Sequence, residues 1–280
     1  MKYIDIKNED YDDVLDISKG IWDGDDYIPQ VFGKWVNDKE GKFLGIQIDN
    51  KIVALGKYSK LKDNQGWLEG LRVHKDYRGL KLANKIADYL FDVAKKDLKE
   101  NKIKSIAMCT HITTTESIEM MEARGFKLKD KCMIVSKELG DRDDKFKFQG
   151  HNIDSWDISY EEFKNLDIFK NNNNIVLGFT YYNLCREIYD DFIESNYFIQ
   201  IDNYKYIVNK KLTYSIISIE NTVESINLVT NYYLDKYKVD EVEVYIKDPN
   251  DELIQKLKNQ KYKSTSNFNK DCLYYVYDNE

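Results

Sequence analysis

Short apolar runs of strand length dominate the first half of the chain. They start with an alternating run at Lys2–Ile6 and continue at "KFLGIQID", "KIVALGKYSKL" and "GWLEGLRV". The residues around Asn50 join two of these runs and are typical of a hairpin. Amphipathic segments at 11–20 and 30–37 lie between the first run and the second. The pattern predicts one strand, two helices and then three consecutive strands.

A long amphipathic segment follows the third of these strands. It predicts a helix from about Gly79 to Leu98, whose apolar face contains Ile86, Leu90, Val93 and Ala94. The run "KSIAMCT" predicts a buried strand, and the threonine-rich stretch after it predicts a short helix that ends at Gly125. The run "CMIVSKEL" predicts a closing strand, so a first domain is complete near residue 140.

The second half of the chain repeats part of this order. The segment "VDEVEVYIKDPNDELIQKLKNQKY" has the strand, polar turn, helix and aromatic residue of "IKSIAMCTHITTTESIEMMEARGF". The passage "SIISIENTVESINLV" goes from strand to helix without an Arg-Gly pair, and no glycine follows Gly178. The polar stretch 141–150 has no clear period and predicts a linker. We therefore predict a domain at 1–140, a linker at 141–150 and a degenerate domain at 151–280.

Charge and composition exclude several classes of protein. The net charge is -7 and no Lys/Arg-rich block occurs, which argues against a nucleic-acid partner. No apolar run approaches the length of about 20 residues that a membrane span needs. The N-terminus is acidic and has no secretory apolar core, so we expect a cytoplasmic protein. The four cysteines and three histidines are dispersed, which predicts reduced thiols and no metal site.

The turn at Arg78-Gly79 is the strongest candidate for chemistry. A helix N-terminus has unsatisfied N–H groups and a partial positive charge, so it attracts phosphate. Residues without bulk let the backbone approach the phosphate oxygens, and Arg78, Gly79, Lys81 and Ala83 suit this role. The alternative is that Gly79 only opens a helix after a turn.

The strand, turn and helix together resemble motif A of the GNAT (GCN5-related N-acetyltransferase) superfamily. The family pattern Arg/Gln-x-x-Gly-x-Gly/Ala falls on Arg78, Lys81 and Ala83, with lysine at the usual glycine position. The helix "ESIEMMEARGF" is similar to the family's late motif that ends in Gly-Phe. The resemblance implies an α/β fold of the α+β type, whose central mixed, mostly antiparallel sheet is flanked by helices. It also implies a tandem form with a degenerate GNAT-like C-terminal domain.

The resemblance assigns residues to an acetyl-CoA co-substrate. It implies that the backbone of the strand holds the pantetheine arm and that the loop holds the pyrophosphate. Thr114 is also placed in the cofactor site. The implied pantetheine residues are Leu71, Arg72 and Val73. The implied pyrophosphate residues are Arg78, Gly79, Leu80, Lys81, Leu82 and Ala83.

Glu69 is the candidate general base. Acetyl transfer needs a deprotonated amine, and a free lysine-like amine has a pKa near ~10.4. Strand alternation puts Glu69 on one face with Trp67, Leu71 and Val73, where a carboxylate is costly unless it is used or paired. If that face is solvated, Glu69 is an ordinary surface residue. His111, at the end of a predicted strand, is the second catalytic candidate, with a loop role as its alternative.

The proton donor for the departing thiolate is left open by the sequence. Many family members have a tyrosine in the late helix, and the matching position here is Met121. The alternatives are Thr114 or Thr115, water, a tyrosine from elsewhere in the chain, or no donor.

The leading hypothesis is an N-acetyltransferase that moves an acetyl group directly from acetyl-CoA to a primary amine of a small molecule. The alternative is a non-catalytic acyl-CoA-binding sensor or interaction protein, which Lys81 and Met121 suggest. A nucleotide-dependent enzyme is disfavoured, because neither GxGxxG nor GxxxxGK[ST] occurs. The second domain either shapes the acceptor pocket or only packs, and a homodimer is left open.

Overall fold

The computed structural model describes residues 1–211 and 214–278. The helices and strands of the first half follow one another in the predicted order. The long helix begins three residues later than predicted, at Leu82. The elements of this half are β1 (Lys2–Asp5), α1 (Tyr11–Ser18), α2 (Ile28–Val36), β2 (Lys42–Ile48), β3 (Lys51–Lys60), β4 (Gln65–Val73), α3 (Leu82–Lys99), β5 (Ser105–His111) and α4 (Thr115–Glu122).

The second half contains the predicted closing strand, the predicted strand and helix of the repeated segment, and further strands and helices. Residues 212–213 and 279–280 of the predicted second domain lie outside the described residues. The elements are β6 (Lys127–Glu138), β7 (Ile153–Ser155), α5 (Tyr160–Lys164), β8 (Asn174–Leu177), β9 (Thr180–Asn183), α6 (Arg186–Glu194), β10 (Phe198–Ile201), β11 (Tyr204–Asn209), β12 (Tyr214–Ser218), α7 (Val223–Tyr237), β13 (Glu241–Ile246), α8 (Asp251–Asn259) and β14 (Cys272–Tyr277).

The chain forms two compact units that are not continuous in sequence. Unit 1 contains residues 1–108 and 119–127 and the C-terminal residues from Tyr275, and unit 2 contains residues 109–118 and 128–274. The predicted linker 141–150 lies inside unit 2. The boundaries 1–140 and 151–280 are therefore not the boundaries of these units, and they remain a proposal about two related halves of the sequence.

The sheet of unit 1 is mostly antiparallel. Its strands follow the order β1-β2-β3-β4-β5, and only β4 and β5 run parallel. The helices lie on both faces. Leu55 belongs to the core cluster of α1 and α2, whereas the neighbouring Gly56 faces Ile86 and Leu90 of α3. This arrangement follows from the alternation of side chains along β3.

A β-bulge at Gly70 changes the face of the residues that follow it. Lys57 pairs with Glu69 and Leu55 pairs with Arg72, so β4 contains one extra residue between these pairs. Gly70 has a φ of +66°. Arg72 therefore shares the face of Glu69, and the prediction that Leu71 and Val73 share it was wrong. Simple alternation fails here because a bulge adds one residue to one strand only.

Unit 2 repeats the central order of unit 1. Strands β11 and β12 are antiparallel, α7 follows, and β13 returns parallel to β12. Within the described part of this unit the strand order is β6-β13-β12-β11-β10-β7, with β8 and β9 as a separate hairpin. The predicted second copy is confirmed at the level of topology. Among the residues that the structure describes, no helix has the length and apolar character needed to cross a membrane.

Candidate active site

The loop between β4 and α3 has a backbone shape suited to an anion. Gly79 has a φ of +81° and Lys81 a φ of +56°, and Lys81 is the N-cap residue of α3. Within the described residues the Lys81 side chain makes no capping hydrogen bond, so the first N–H groups of α3 lack the partner that an N-cap side chain usually supplies. Lys81, which stands where the family pattern has glycine, thus adopts the left-handed conformation that glycine favours.

Positive charge surrounds this helix N-terminus. Arg78 and Lys81 are exposed, and Lys85 is half-buried one turn into the helix. None of the three forms an ion pair with another residue in the described ranges, so their charges are not neutralised by carboxylates. Cations and free N–H groups at one helix end favour a phosphate ligand. The loop residues assigned from sequence therefore fit a pyrophosphate.

One edge of β4 is unpaired after Trp67. The parallel ladder to β5 joins Gln65, Gly66 and Trp67 to residues 105–107 and then stops. Among the residues that the structure describes, the stretch 68–73 pairs only with β3, which leaves its other backbone edge available. This edge includes Leu71 and Val73, as the assignment of the pantetheine arm requires. It fits an extended ligand that pairs with a strand edge.

The side chain of Arg72 is already engaged, so only its backbone is available for pantetheine. Its Nε and Nη2 atoms donate to the Asp26 carboxylate at 3.1 and 3.0 Å. The guanidinium lies 4.7 Å from the centre of the Trp22 ring and 5.6 Å from that of Tyr27. Arg72 therefore joins β4 to the segment between α1 and α2.

Glu69 lies beside polar groups of β3. Its Oε1 accepts a hydrogen bond from the Ser59 hydroxyl at 2.7 Å. Burial raises the pKa of Glu69, while the hydrogen bond from Ser59 and the charges of Lys57 and Lys34 oppose that shift. A carboxyl with a raised pKa is a better proton acceptor than an ordinary surface carboxylate. Glu69 is thus not an ordinary surface residue.

A buried ion pair lies directly across the strand pair from Glu69. Lys57, whose side chain is fully buried, forms an ion pair of 2.5 Å with Asp38 and donates to the Tyr58 carbonyl at 2.8 Å. Burial raises the pKa of Asp38, but the contact with Lys57 lowers it by more, so the pKa lies below its ordinary value. A Cβ on Gly41 would overlap this ion pair. The pair places a fixed positive charge on the strand beside the candidate base.

His111 and Thr114 lie in unit 2, whereas the other predicted site residues lie in unit 1. The Nδ1 atom of His111 lies 2.7 Å from the Thr113 hydroxyl, and its Nε2 lies 2.9 Å from the Thr265 hydroxyl and 3.3 Å from Asp271 Oδ2. Both ring nitrogens therefore have partners. Thr114 is exposed and precedes α4. The catalytic role of His111 and the cofactor role of Thr114 stay predictions.

The C-terminal strand brings a tyrosine to α4 that the sequence analysis did not name. Met121 is buried. In the same unit, the Tyr275 hydroxyl donates to Glu122 Oε1 at 3.0 Å, and burial together with Glu122 raises the pKa of Tyr275 to about 12. Only the non-contiguous fold brings residues 122 and 275 together, so no local sequence signal predicts this pair.

A sequence model described as "Acetyltransferase (GNAT) family" matches residues 7–126 of the chain. This N-terminal segment is therefore similar to the GNAT family. The match spans β4, the loop between β4 and α3, α3 itself and the Gly-Phe pair after the late helix. It confirms the resemblance read from these motifs.

Two curated relatives are named "Histidine N-acetyltransferase". The protein from Oreochromis niloticus is 28% identical over 96 residues, which cover 34% of this chain and 28% of that protein. The protein from Scomber australasicus is 23% identical over 146 residues, which cover 52% of this chain and 42% of that protein. The aligned part of the chain thus spans less than half the length of these relatives.

Solved structures share the fold over the whole chain. A "GCN5-related N-Acetyltransferase from Sphaerobacter thermophilus" aligns with a TM-score of 0.62 at 9% identity, covering 99% of this chain and 95% of that one. A "Tandem GNAT protein from the clavulanic acid biosynthesis pathway" aligns with a TM-score of 0.58 at 11% identity, covering 99% and 98%. The predicted fold class is confirmed.

Helix α7 of the second half corresponds to α3 of the first half, but its N-terminus is capped differently. In α7, the Thr222 hydroxyl accepts a hydrogen bond from the Ser225 N–H at 3.2 Å and so caps its own helix. The α3 helix has no such cap and begins at the left-handed Lys81. The N–H groups that α3 leaves free are thus partly satisfied in α7. The two helices therefore differ in how many N–H groups they leave for an anion.

Replacing Lys81 separates the backbone shape of the GNAT loop from its charge. A non-glycine residue in the left-handed region costs about 1–2 kcal/mol, so Lys81→Gly is expected to raise the free energy of unfolding by up to about 1 kcal/mol after its own entropy cost. Loss of an exposed cation is expected to weaken acetyl-CoA binding by about fivefold or less at low salt. Thermal melts and titration calorimetry measure the two effects.

The matched variant Lys81→Val removes the same charge and keeps a side chain that resists positive φ. It is expected to lower the melting temperature while Lys81→Gly raises it. Equal melting temperatures for the two variants would contradict the left-handed conformation of this residue.

Proposed function

We propose that this protein is an acetyl-CoA-dependent N-acetyltransferase that moves the acetyl group directly to a primary amine of a small molecule. The observation that supports it best is the uncapped N-terminus of α3 with its uncompensated cations, directly after a strand that has a free edge. The candidate base Glu69 lies on that same strand. Unit 1 thus contains backbone groups that suit the pantetheine arm and the pyrophosphate of acetyl-CoA. It also contains the candidate proton acceptor.

The residues of unit 1 supply the steps that the transfer needs. The N–H groups of residues 79–83 would hold the pyrophosphate, with Arg78 and Lys81 adding charge, and the backbone of 71–73 would hold the pantetheine arm. Acetyl-CoA supplies an acetyl thioester when bound. Glu69 takes a proton from the acceptor ammonium, and the free amine then forms the amide bond as the carbon–sulfur bond breaks. The amine nitrogen loses its second proton as the amide forms, and this proton passes to the thiolate sulfur, directly or through water, so that CoA leaves as the thiol and Glu69 later releases its proton to solvent.

The acceptor class follows only in part from the site. The two curated relatives are named for histidine, which is a free amino acid with an α-amine. We therefore include free amino acids, with histidine among them, beside simple primary amines in the set of acceptors to be tested. His111 is proposed as a second catalytic residue, to be tested by substitution.

Acetyl-CoA is expected to raise the melting temperature of the purified protein. A ligand that binds only the folded state stabilises it by about 2.7 kcal/mol when present at 100 times its Kd. NADH and ATP are the control ligands, and they should shift the melting temperature less. CoA release is then followed with the amine panel.

Three outcomes of these experiments distinguish the proposal from its alternative. Selective stabilisation together with amine-dependent CoA release supports an acetyltransferase. Selective stabilisation without release on any amine favours the acyl-CoA-binding sensor. Absence of any acetyl-CoA effect would contradict both.

A further inference from the structure

Ser59 is the residue that directly contacts the candidate base. It lies on β3, is half-buried, and donates its hydroxyl proton to Glu69 Oε1 at 2.7 Å. The Cα partner of Ser59 in the strand pair is Trp67, two residues before Glu69. This diagonal relation across two strands lets the hydroxyl reach the carboxylate from the same face of the sheet.

The hydrogen bond from Ser59 distinguishes the two oxygens of Glu69. Within the ranges that the structure describes, Oε1 is bonded to Ser59 and Oε2 has no hydrogen bond. A carboxylate that is held by one oxygen keeps a defined rotamer and presents the other oxygen. The presented oxygen is the one that can accept a proton from a bound acceptor.

Several charged groups face Glu69 from the elements packed around it. Lys57 faces it from β3, and the Asp38 carboxylate is bound to that lysine. Lys34 on α2 adds a positive charge, and Tyr27 lies near enough for Glu69 to affect its titration. Because Lys57 is already paired with Asp38, Ser59 is the neutral group left to hold the carboxylate directly.

We propose that Ser59 is a positioning residue, which orients the Glu69 carboxylate and favours its charged form so that Oε2 takes the proton of the acceptor. This inference rests on the proposed function, since it concerns the base of that reaction. It assigns a role to a residue of β3, outside the loop and strand that form the acetyl-CoA site.

The direction of the expected change follows from the two opposing effects on Glu69. Burial raises the pKa of this carboxyl, and the Ser59 hydrogen bond lowers it. When the Ser59 hydroxyl is removed, fewer interactions counteract the effect of burial, so the pKa of Glu69 rises further. The base is active when deprotonated, so activity is lost as the pH falls through this pKa. A higher pKa therefore moves the acid limb of kcat/KM to higher pH.

The first test is the pH profile of Ser59→Ala. Its acid limb is expected to lie about 1 pH unit above that of the wild type, which is the effect of losing one hydrogen bond to a charged group. At pH values below the acid limb, kcat/KM of Ser59→Ala is expected to be about tenfold lower than that of the wild type. At pH values well above the limb, the two proteins should differ less. Ser59→Thr keeps a hydroxyl and should restore the wild-type limb.

Ser18→Ala is the matched control. Ser18 lies on α1 in the same unit, and its buried hydroxyl has no hydrogen-bond partner among the described residues. This substitution should leave the acid limb where it is. A melting curve of each variant shows that the fold is retained. An acid limb that does not move in Ser59→Ala would overturn the proposal.

The second test needs no turnover and therefore separates this inference from the proposed function. The carboxyl carbon of Glu69 is titrated by ¹³C NMR in wild type and in Ser59→Ala, with the signal assigned by its absence in Glu69→Gln. A pKa about 1 unit higher in Ser59→Ala supports the contact even if no acceptor is found. An unchanged pKa rejects it. If the pKa shifts but Glu69→Gln is fully active, the base assignment fails and Ser59 has no catalytic role.

Discussion

Replacement of Glu69 by glutamine is expected to lower kcat/KM by about 10²–10⁴-fold, the usual contribution of a general base. Glutamine has nearly the same shape, and its amide oxygen can still accept the hydrogen bond from Ser59. The variant therefore loses the proton acceptor and keeps the packing. The fall should appear in kcat, because the base acts in the transfer and not in acetyl-CoA binding.

The pH dependence of the wild type provides a second signature of this base. Burial raises the pKa of Glu69 above its ordinary value. Activity should fall as the pH decreases through that raised pKa, so the acid limb lies above about 4.3, the value of an unperturbed glutamate. In Glu69→Gln this limb should disappear.

Acetyl-CoA binding provides the control for this experiment. The stabilisation of Glu69→Gln by acetyl-CoA should equal that of the wild type, because Glu69 lies outside the phosphate loop. Retained binding together with lost turnover supports catalysis by Glu69. Unchanged turnover would reject it as the base and make His111 the next residue to substitute.

Replacement of Gly70 by alanine is expected to destabilise the folded protein by about 2–5 kcal/mol. Gly70 has a φ of +66°, and a Cβ at this position would overlap the ring of Trp35. Backbone strain and steric overlap therefore act together. The bulge also determines the face on which Arg72 lies, so kcat/KM should fall as well in the fraction that folds.

Gly33→Ala is the matched control for Gly70→Ala. Gly33 lies on α2, and a Cβ there would meet no atom within 4 Å. Alanine at such a helical position is expected to stabilise by about 0.5–1 kcal/mol. Circular dichroism melts of both variants measure the contrast. Similar melting temperatures would show that Gly70 does not require its positive φ.

Local patterns predicted the parts of the site that follow one another along the chain. The strand, the turn and the helix at 65–99 are adjacent in sequence, and the fold places them in that order. The glycine position occupied by Lys81 was recognised as a departure from the family pattern. Its left-handed φ explains both the family preference for glycine and the cost of lysine.

Contacts between distant residues were beyond the reach of the sequence. The groups around Glu69 lie on β3 and before β2. The alternation rule placed Leu71 and Val73 on the face of Glu69, which was wrong because the rule does not count a bulge. Tyr275 reaches Glu122 because the last residues belong to unit 1. The cytoplasmic location and the domain boundaries predicted from the sequence stay predictions.

The sequence by itself predicted the resemblance to the GNAT family, the order of the elements and the position of the candidate anion-binding loop, since hydrophobic period, turn chemistry and helix ends are local properties. Only the tertiary structure decided the protonation environment of Glu69, the face of Arg72 and the grouping of residues into two units. These properties depend on strand register and burial. Both arise from interactions between residues far apart in the chain, which no local pattern encodes.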